Sequence, residues 1–230
     1  MSRYRHEYKY QIDRCQEEIL KIKADGLLQK DPHVESDGSY LIRSLYFDDY
    51  ADSCYYENED GTDPRAKFRI RYYNFDTGHI KLEKKAKNKG MTLKEACTIS
   101  KEQCCRFMEG FTPEPQTEKQ EKMFEEMRER NLIPKVIVTY ERIPYIYAVG
   151  NVRVTFDRSI MASHEVSRFL DGDYQVRPIL AVGQSVLEVK WDEILPPFIR
   201  EYMQLDSLQW STFSKYYLCR KYNMNGGLDR

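Results

Sequence analysis

The sequence has few of the residues that build metal and disulfide frameworks. Among its 230 residues are six cysteines and four histidines, and no cysteine forms a Cys-x-x-Cys pair or stands at a ligand spacing from a histidine. A zinc site and a disulfide scaffold are therefore excluded as organising features. We predict that the cysteines are reduced thiols packed as small core residues, as in a cytosolic protein, and that none of the histidines is catalytic.

The sequence also lacks a long apolar run, a signal peptide, an internal repeat and an excess of one charge. Lysine and arginine number 36 against 37 aspartate and glutamate residues, so the formal net charge is −1. We therefore predict no membrane-spanning segment and no overall attraction to nucleic acid. Any anion-binding site must therefore be a local cluster of basic residues, and the acidic residues that balance its charge must lie elsewhere in the chain. We predict a single domain over residues 1–230.

What the sequence does contain is a set of segments in which basic and apolar residues alternate. In residues 65–72, Lys67, Arg69 and Arg71 share one parity, and Phe68 is on the other. Because successive side chains of a β-strand point to opposite faces, this segment predicts a strand with one apolar and one cationic face. A half-buried sheet with solvated charges gives the same pattern, so this strand alone does not establish a function.

Further segments repeat the pattern and add a few carboxylates to the cationic parity. They are residues 5–10, 81–85, 153–157 and 187–191. If such strands close into a barrel, one face of each strand points inward and the cations meet in one lumen. Like charges held close together repel, so the arrangement predicts an anionic guest.

Strands and helices are predicted along the whole chain. The predicted strands are residues 3–12, 40–48, 66–73, 79–86, 91–99, 135–142, 152–158 and 185–191. Helices are predicted after the capping residues Asp13, Ser100 and Thr117, with Gly26 ending the first of them, and a last helix covers residues 211–222. Residues 159–184 are predicted to be irregular.

The alternation of basic and apolar residues does not by itself give the position of Arg142 or the role of four aromatic residues. Arg142 shares its parity with Val136 and Val138, so either a β-bulge re-aims Arg142 or its assignment to the cationic face is wrong. The aromatic residues at positions 46, 47, 68 and 72 are interpreted as core residues rather than as platforms for stacking bases.

Eight short motifs follow one another between residues 3 and 222. They are Glu7-Tyr8-Lys9-Tyr10, Arg43-Ser44-Leu45-Tyr46-Phe47-Asp48, Arg69-Ile70-Arg71-Tyr72, Leu82-Glu83-Lys84-Lys85, Tyr140-Glu141-Arg142, Arg153-Val154-Thr155-Phe156-Asp157, Leu187-Glu188-Val189-Lys190 and Phe213-Ser214-Lys215-Tyr216. In this order they resemble the vacuolar transporter chaperone (VTC) domain. That domain is the polyphosphate polymerase branch of the triphosphate tunnel metalloenzymes, which are related to the CYTH domains.

The resemblance implies an α+β fold, with an antiparallel β-barrel tunnel of about eight strands and helices packed outside. It also implies a chemistry, in which the γ-phosphoryl group of ATP is transferred to a growing polyphosphate chain. The implied cofactor is Mn²⁺ or Mg²⁺, and the implied partners are ATP and polyphosphate, without nucleic acid. A polyphosphate chain end is already an anionic nucleophile, so no serine, cysteine or histidine is required.

Positions in the motifs imply the roles of individual residues. Catalytic roles are implied for Lys9, Arg69, Arg71, Lys85 and Arg153. Phosphate-binding roles are implied for Arg43, Lys94, Arg142, Lys190 and Lys215. The implied metal ligands are Glu188 and Glu7. These residue types suit the roles, because arginine offers phosphate a planar fork, lysine a mobile point charge, and Mg²⁺ needs only one or two carboxylates.

The chain departs from related families in two respects. CYTH hydrolases and cyclases begin with Glu-x-Glu-x-Lys, whereas this chain has Arg5 at the first position of that motif. With one carboxylate fewer for a second metal or for activating water, transfer or binding is favoured over hydrolysis. Yeast-type VTC proteins also carry an SPX domain and membrane helices, which this sequence does not show. We therefore expect a cytoplasmic protein, free or held at the inner face of the membrane by a separate membrane partner protein.

Other functions stay open at this stage. The same tunnel would serve an inorganic triphosphatase or nucleoside triphosphatase, or a sensor that binds polyphosphate or nucleotide without catalysis. A β-sheet protein with solvated charged faces is the structural alternative. The sequence gives no indication of the oligomeric state.

Overall fold

The alternating segments form strands and the capped segments form helices in the computed structural model, which describes residues 5–224. The strands are β1 (His6–Ile12), β2 (Gln29–Lys30), β3 (Tyr40–Asp48), β4 (Arg65–Tyr73), β5 (Asp76–Asn88), β6 (Met91–Ile99), β7 (Ile133–Tyr147), β8 (Val152–Ser163), β9 (Arg177–Pro178) and β10 (Ser185–Trp191). The helices are α1 (Arg14–Leu27), α2 (Ser53–Glu59), α3 (Lys101–Met108), α4 (Glu118–Glu129), α5 (Pro197–Tyr202) and α6 (Lys215–Met224). Residues 3 and 4 of the predicted first strand lie outside the described residues.

The eight long strands form one curled antiparallel sheet. Their order is β1-β10-β8-β7-β3-β4-β5-β6, and the two-residue strands β2 and β9 are added on β7 and β8. Between the edge strands β1 and β6, the Arg5 N–H donates to the Thr92 carbonyl at 3.1 Å and the Thr92 N–H donates back at 3.3 Å. The sheet therefore curls far enough for its edges to touch. The predicted fold class is confirmed, as a half-barrel with helices outside, and its concave side is called the lumen below.

The convex face of the sheet is apolar and carries four of the helices. Phe68 and Ile70 of β4 pack with Phe107 of α3 and Phe124 of α4. The outward side chains of β1, β8 and β10 pack in the same way against α1 and α5. Burying one large apolar side chain contributes about 1.5–3 kcal/mol, so this face fixes the register of the strands. The opposite parity, which carries the basic residues, must then face the lumen.

Part of the concave face is also apolar, which explains the parity of β7. Val136 and Val138 lie on the same face as Arg142 and are covered there by Tyr216 and Cys219 of α6. No bulge is needed to aim Arg142 at the lumen. The bulge between β7 and β8 lies on β8, where two residues, 159 and 160, stand opposite residue 140.

The predicted helix starts are confirmed. Asp13 accepts a hydrogen bond from the Gln16 N–H at 2.8 Å, and Ser100 accepts one from the Gln103 N–H at 3.1 Å. Both glutamines return a bond to the capping residue, which completes two capping boxes. Thr117 caps α4 through the N–H three residues on. In the described part of the chain, no helix is long and apolar enough to cross a lipid bilayer.

Several predicted boundaries are wrong; β7, for example, continues to Tyr147, beyond the predicted end at residue 142. Gly26 does not end α1, because the helix continues to Leu27 and the Leu28 N–H closes it on the Ala24 carbonyl at 2.8 Å. The last helix begins at Lys215 rather than at residue 211, because the preceding residues are extended along β1. Residues 159–163, predicted to be irregular, complete β8.

Candidate functional site

Cross-strand neighbours share a face of the sheet, so the register shows which predicted site residues enter the lumen. Lys9 lies opposite Glu188, and Lys190 lies opposite both Glu7 and Arg153. The lumen set consists of Glu7, Lys9, Arg69, Arg71, Lys85, Lys94, Arg142, Arg153, Glu188, Lys190 and, from the first turn of α6, Lys215. Residues from distant parts of the chain therefore meet on one concave surface.

Glu83 collects one group of these cations. Its carboxylate accepts from Arg69 Nε at 2.8 Å, lies 3.8 Å from the Arg71 guanidinium and is also paired with Lys94. Burial opposes ionisation of Glu83, but these three cations hold its pKa well below its usual value. Arg69 also donates to the Tyr46 hydroxyl at 2.9 Å, so its guanidinium plane is fixed before any ligand arrives.

Glu7 collects a second group. Its carboxylate lies 2.7 Å from Lys85 Nζ and 2.9 Å from Lys9 Nζ, and Lys9 also donates to the Phe213 carbonyl at 3.0 Å. The pKa of Lys85 is lowered to about 7, mainly because burial removes the amine from water; Glu7 opposes this shift, and Lys9 and Lys190 contribute to it. The amine is thus poised to take up a proton when a negative charge arrives.

Asp157 and Glu188 form the centre of a third group. Arg142 holds both oxygens of Asp157, at 2.6 and 2.7 Å, and Lys215 Nζ lies 2.5 Å from the same carboxylate. Glu188 is paired with Lys190 and lies 3.7 Å from Arg142 and 4.0 Å from Lys215. Burial opposes ionisation of both acids, but the surrounding cations hold the pKa of each below its usual value.

Arg153 occupies a more exposed position on the same face. Its Nη2 donates to Asp31 at 2.8 Å and to the Tyr40 hydroxyl at 2.7 Å. Its side chain is 34% exposed, against 9% for Arg142. Arg153 is therefore placed to meet a ligand nearer to solvent than Arg142 does.

Basic side chains outnumber carboxylates in the lumen. The carboxylates are Glu7, Glu83, Asp157 and Glu188, and each of them already contacts at least two cations. Two like charges 4 Å apart repel by about 4 kcal/mol at an effective dielectric constant near 20. A ligand with several negative charges would relieve this repulsion, so the charge of the lumen suits an anion.

Arg43 does not belong to the lumen, and the expectation that it binds phosphate there is corrected. It lies opposite Tyr72 on the convex face and donates to the Tyr72 hydroxyl at 2.8 Å. Its guanidinium also lies 4.6 Å from the ring centre of Phe75 and 4.8 Å from that of Tyr174. On β3 it is the neighbouring Ser44 that faces the lumen, where it accepts from Arg71 at 3.1 Å.

The predicted site left out three charged lumen residues that parity indicated, namely Glu83, Asp157 and Lys67. Asp157 follows Arg153 at even spacing, and Lys67 precedes Arg69 in the same way. Lys67 Nζ donates to Asn58 at 2.7 Å and to Ser214 at 3.3 Å. The pKa of Lys67 is lowered to about 7, mainly because burial removes the amine from water and also because Arg65 and other cations lie nearby.

Polar groups without charge were missed as well. Tyr46, interpreted from the sequence as core, holds Arg69, and the Tyr140 hydroxyl accepts from Arg71 at 3.0 Å. The Thr155 hydroxyl is buried between strands and has no hydrogen-bond partner among the described residues. Local sequence gave no sign of these roles, because tyrosine on a strand is equally consistent with core packing.

The carboxylates of the lumen suit a metal ion that takes few ligands from the protein. Among the described residues, no group of three or more histidine, cysteine, aspartate or glutamate side chains is placed to hold a metal. Glu7 and Glu188 lie diagonally across β1 and β10 on the lumen face. Mg²⁺ and Mn²⁺ accept one or two carboxylates and fill their other positions with phosphate and water, so these two residues fit such an ion beside a phosphate ligand.

The chain is similar to known proteins in both sequence and fold. The model of the VTC domain family matches residues 4–223. The crystal structure of a candidate adenylate cyclase from Bacillus halodurans is similar with a TM-score of 0.55 and 13% identity, over 93% of this chain and 95% of that chain. A candidate adenylyl cyclase from Hippeastrum, described as having a dominant triphosphatase activity, is similar with a TM-score of 0.54 and 11% identity, over 96% of both chains. No curated protein sequence gave a significant match. At these identities the two structures show the fold alone.

Proposed function

Because the chain belongs to the VTC domain family, we propose that it is a polyphosphate polymerase that transfers the γ-phosphoryl group of ATP to a growing polyphosphate chain. The observation that carries the proposal is the surplus of basic side chains in one lumen, contributed by seven strands and α6. A linear polyanion matches such a surface, because its charges are spaced along a line and neutralise cations from every strand in turn.

The lumen residues supply what phosphoryl transfer needs. The reaction depends mostly on positioning and on neutralising charge at nonbridging oxygens. Arg69 and Arg71 have guanidinium groups held by Glu83, Tyr46 and Ser44, so they present fixed forks to phosphate. Lysine side chains add point charges that follow a moving chain. The attacking group is a phosphate oxygen that is already anionic, so the lumen needs no general base.

The implied metal has a place among these residues. A Mg²⁺ or Mn²⁺ ion held by Glu188 and Glu7 would neutralise charge on the transferring phosphoryl group. The same two carboxylates also hold Lys190, Lys9 and Lys85 in position around that point.

A triphosphatase of the same fold is the second candidate. Glu7 supports hydrolysis, since it keeps one of the two carboxylates of the Glu-x-Glu-x-Lys motif of CYTH hydrolases in the lumen. Arg5 favours transfer instead, because at the position of the other carboxylate its side chain is bound to Asp192 at 2.9 Å and to the Asn151 carbonyl at 2.5 Å. A sensor that binds without catalysis is the third candidate. The cytoplasmic location and the separate membrane partner stay predictions.

Incubation with ATP and Mn²⁺, followed by electrophoresis of the products on a urea gel, separates the three candidates. A ladder of polyphosphate supports the polymerase, and free phosphate alone supports the hydrolase. Unchanged ATP that nevertheless binds supports the sensor. The variant Glu188→Gln should lose turnover, whereas Glu141→Gln, a carboxylate on the convex face of β7, should keep it. Normal turnover in Glu188→Gln would contradict the assignment of the site.

A further inference from the structure

A cavity of about 620 Å³ opens at one end of the lumen. Gln11 lines it and lies on the lumen face of β1, two residues after Lys9, which places their Cα atoms about 7 Å apart. The remaining lining includes Gln16, Gln184, Gln209 and Trp210. The cavity therefore adjoins the cationic surface directly, but its lining is mostly polar and uncharged.

The segment before α6 joins the cavity to the lumen. Trp210 forms a bridge with Tyr10, and the next N–H, of Ser211, donates to the Lys9 carbonyl at 2.9 Å. Further along, the Ser214 hydroxyl accepts from Lys67 at 3.3 Å. A second cavity of about 290 Å³ shares Gln11 and Ser211 with the first and reaches Ser214. One extended segment thus lines the cavity at one end and contacts lumen lysines at the other.

The lining of the larger cavity suits an uncharged aromatic group. None of its lining residues is basic and one, Asp13, is acidic, although the neighbouring lumen is rich in lysine and arginine. Trp210 is 57% exposed, and the flat face of an indole stacks on a nucleobase. Glutamine side chains carry donors and acceptors side by side, as the edge of adenine requires. Gln11 donates to the Gln184 side-chain oxygen at 2.9 Å, a bond that uses one of the two N–H donors of Gln11 and neither of those of Gln184.

We propose that this cavity binds the nucleoside of the triphosphate donor, with the base stacked on Trp210 and the phosphates directed past Gln11 toward Lys9. The inference rests on the proposed function, because it assumes that a nucleoside triphosphate enters the lumen. It adds an orientation, in which the nucleoside stays outside the cationic surface and only phosphates enter it.

The test compares a ligand that has a base with one that does not. The affinities of a nonhydrolysable ATP analogue and of inorganic tripolyphosphate are measured by calorimetry with Mn²⁺ for the wild type and for Trp210→Ala. Loss of one stacked base should weaken the ATP analogue about tenfold and leave tripolyphosphate within about twofold. Trp210→Phe should restore most of the lost affinity. Phe111→Ala removes an aromatic side chain of the same 57% exposure from another surface and should change neither affinity.

Fluorescence supplies a second readout that keeps Trp210 in place. The chain has two tryptophans, so in Trp191→Phe the signal comes from Trp210 alone. The ATP analogue should quench it, and tripolyphosphate should not. Equal weakening of both ligands in Trp210→Ala, or no weakening of either, would overturn the nucleoside site and leave the proposed function intact. If neither ligand binds the wild type, the proposed function fails and the nucleoside site with it.

Discussion

Arg142 and Asp157 face each other across β7 and β8 in a bidentate ion pair, with nitrogen–oxygen distances of 2.6 and 2.7 Å. Asp157 is fully buried and Arg142 nearly so, and Lys215 joins the pair from α6. A buried ion pair adds little net stability, because desolvation of both charges offsets their attraction. Its effect is instead to keep a guanidinium group aligned on the wall of the lumen beside Glu188.

The variant Asp157→Asn should lower the free energy of unfolding by about 3–5 kcal/mol, because it removes the carboxylate that Arg142 and Lys215 share and leaves Arg142 only the more distant Glu188, at 3.7 Å. Urea denaturation measures the change. Glu141→Gln is the matched control, since Glu141 also forms a bidentate pair, with Arg158 on the same two strands at 2.8 and 2.6 Å, but nearer to solvent. That exposed pair should be worth about 0–1 kcal/mol. Equal losses in the two variants would show that burial does not set the cost.

Arg69→Lys should weaken the binding of tripolyphosphate about tenfold or more, although it keeps the positive charge. A lysine cannot reproduce the fork that Arg69 presents, and a charge-assisted hydrogen bond is worth about 1.5–3 kcal/mol. Calorimetric titration gives the affinity. Arg158→Lys, on the convex face, should leave that affinity unchanged; a similar loss there would mean that overall charge, and not the lumen, controls binding.

Arg43→Met tests the corrected position of Arg43. Its guanidinium contacts three aromatic rings on the convex face, those of Tyr72, Phe75 and Tyr174. Losing such partly desolvated contacts should cost about 1–2 kcal/mol of stability. The affinity for tripolyphosphate should not change. A variant of normal stability that binds tripolyphosphate poorly would return Arg43 to the binding site.

The contrast between Arg69 and Arg43 shows where sequence reasoning succeeded. In β4 the two parities differ in character, since Phe68 and Ile70 alternate with charges, so the face of Arg69 follows from the sequence. In β3 both parities are apolar, with Ile42 on one and Leu45 on the other, and both are fully buried. The alternation in β3 therefore does not predict which face of the sheet Arg43 occupies. The resemblance of its motif to the VTC domain predicted the lumen face, whereas Arg43 lies on the convex face.

The remaining features depend on contacts that no local pattern encodes. The strand order that brings β1 beside β10 joins residues about 180 positions apart, and no pattern in the sequence predicted it. The extended course of residues 210–211 is fixed by their bonds to β1, not by their own preference. Tyr46 lies opposite Arg69 in the pairing of β3 with β4, so its side chain is on the lumen face. The sequence of β3 alone does not predict this pairing.

Lys67 should make ligand binding dependent on pH. Removal from water lowers its pKa to about 7 from an ordinary value of 10.5, so at pH 8 the free protein carries it mostly as a neutral amine. A bound polyanion favours the charged form, and binding should therefore take up protons. Affinity for tripolyphosphate should fall as pH rises from about 7 to 9. Calorimetry at pH 8 in buffers of different ionisation enthalpy measures the proton uptake, which should decrease by up to about one proton in Lys67→Met.

The same depressed pKa fixes the sign of an effect on stability. Between pH 7 and 10.5 the unfolded chain keeps the proton on Lys67, whereas the folded chain does not. The contribution of Lys67 to the free energy of unfolding therefore rises with pH across this range, and it is lost as the pH falls toward 7. Urea unfolding at several pH values measures this slope, and Lys67→Met should reduce it to the part that Lys85 contributes. Lys101→Met, which removes an exposed lysine of α3 on the outside of the sheet, should leave both the slope and the proton uptake as in the wild type. A wild-type protein that takes up no protons, or a Lys67→Met variant with an unchanged slope, would show that Lys67 is already charged before the ligand binds.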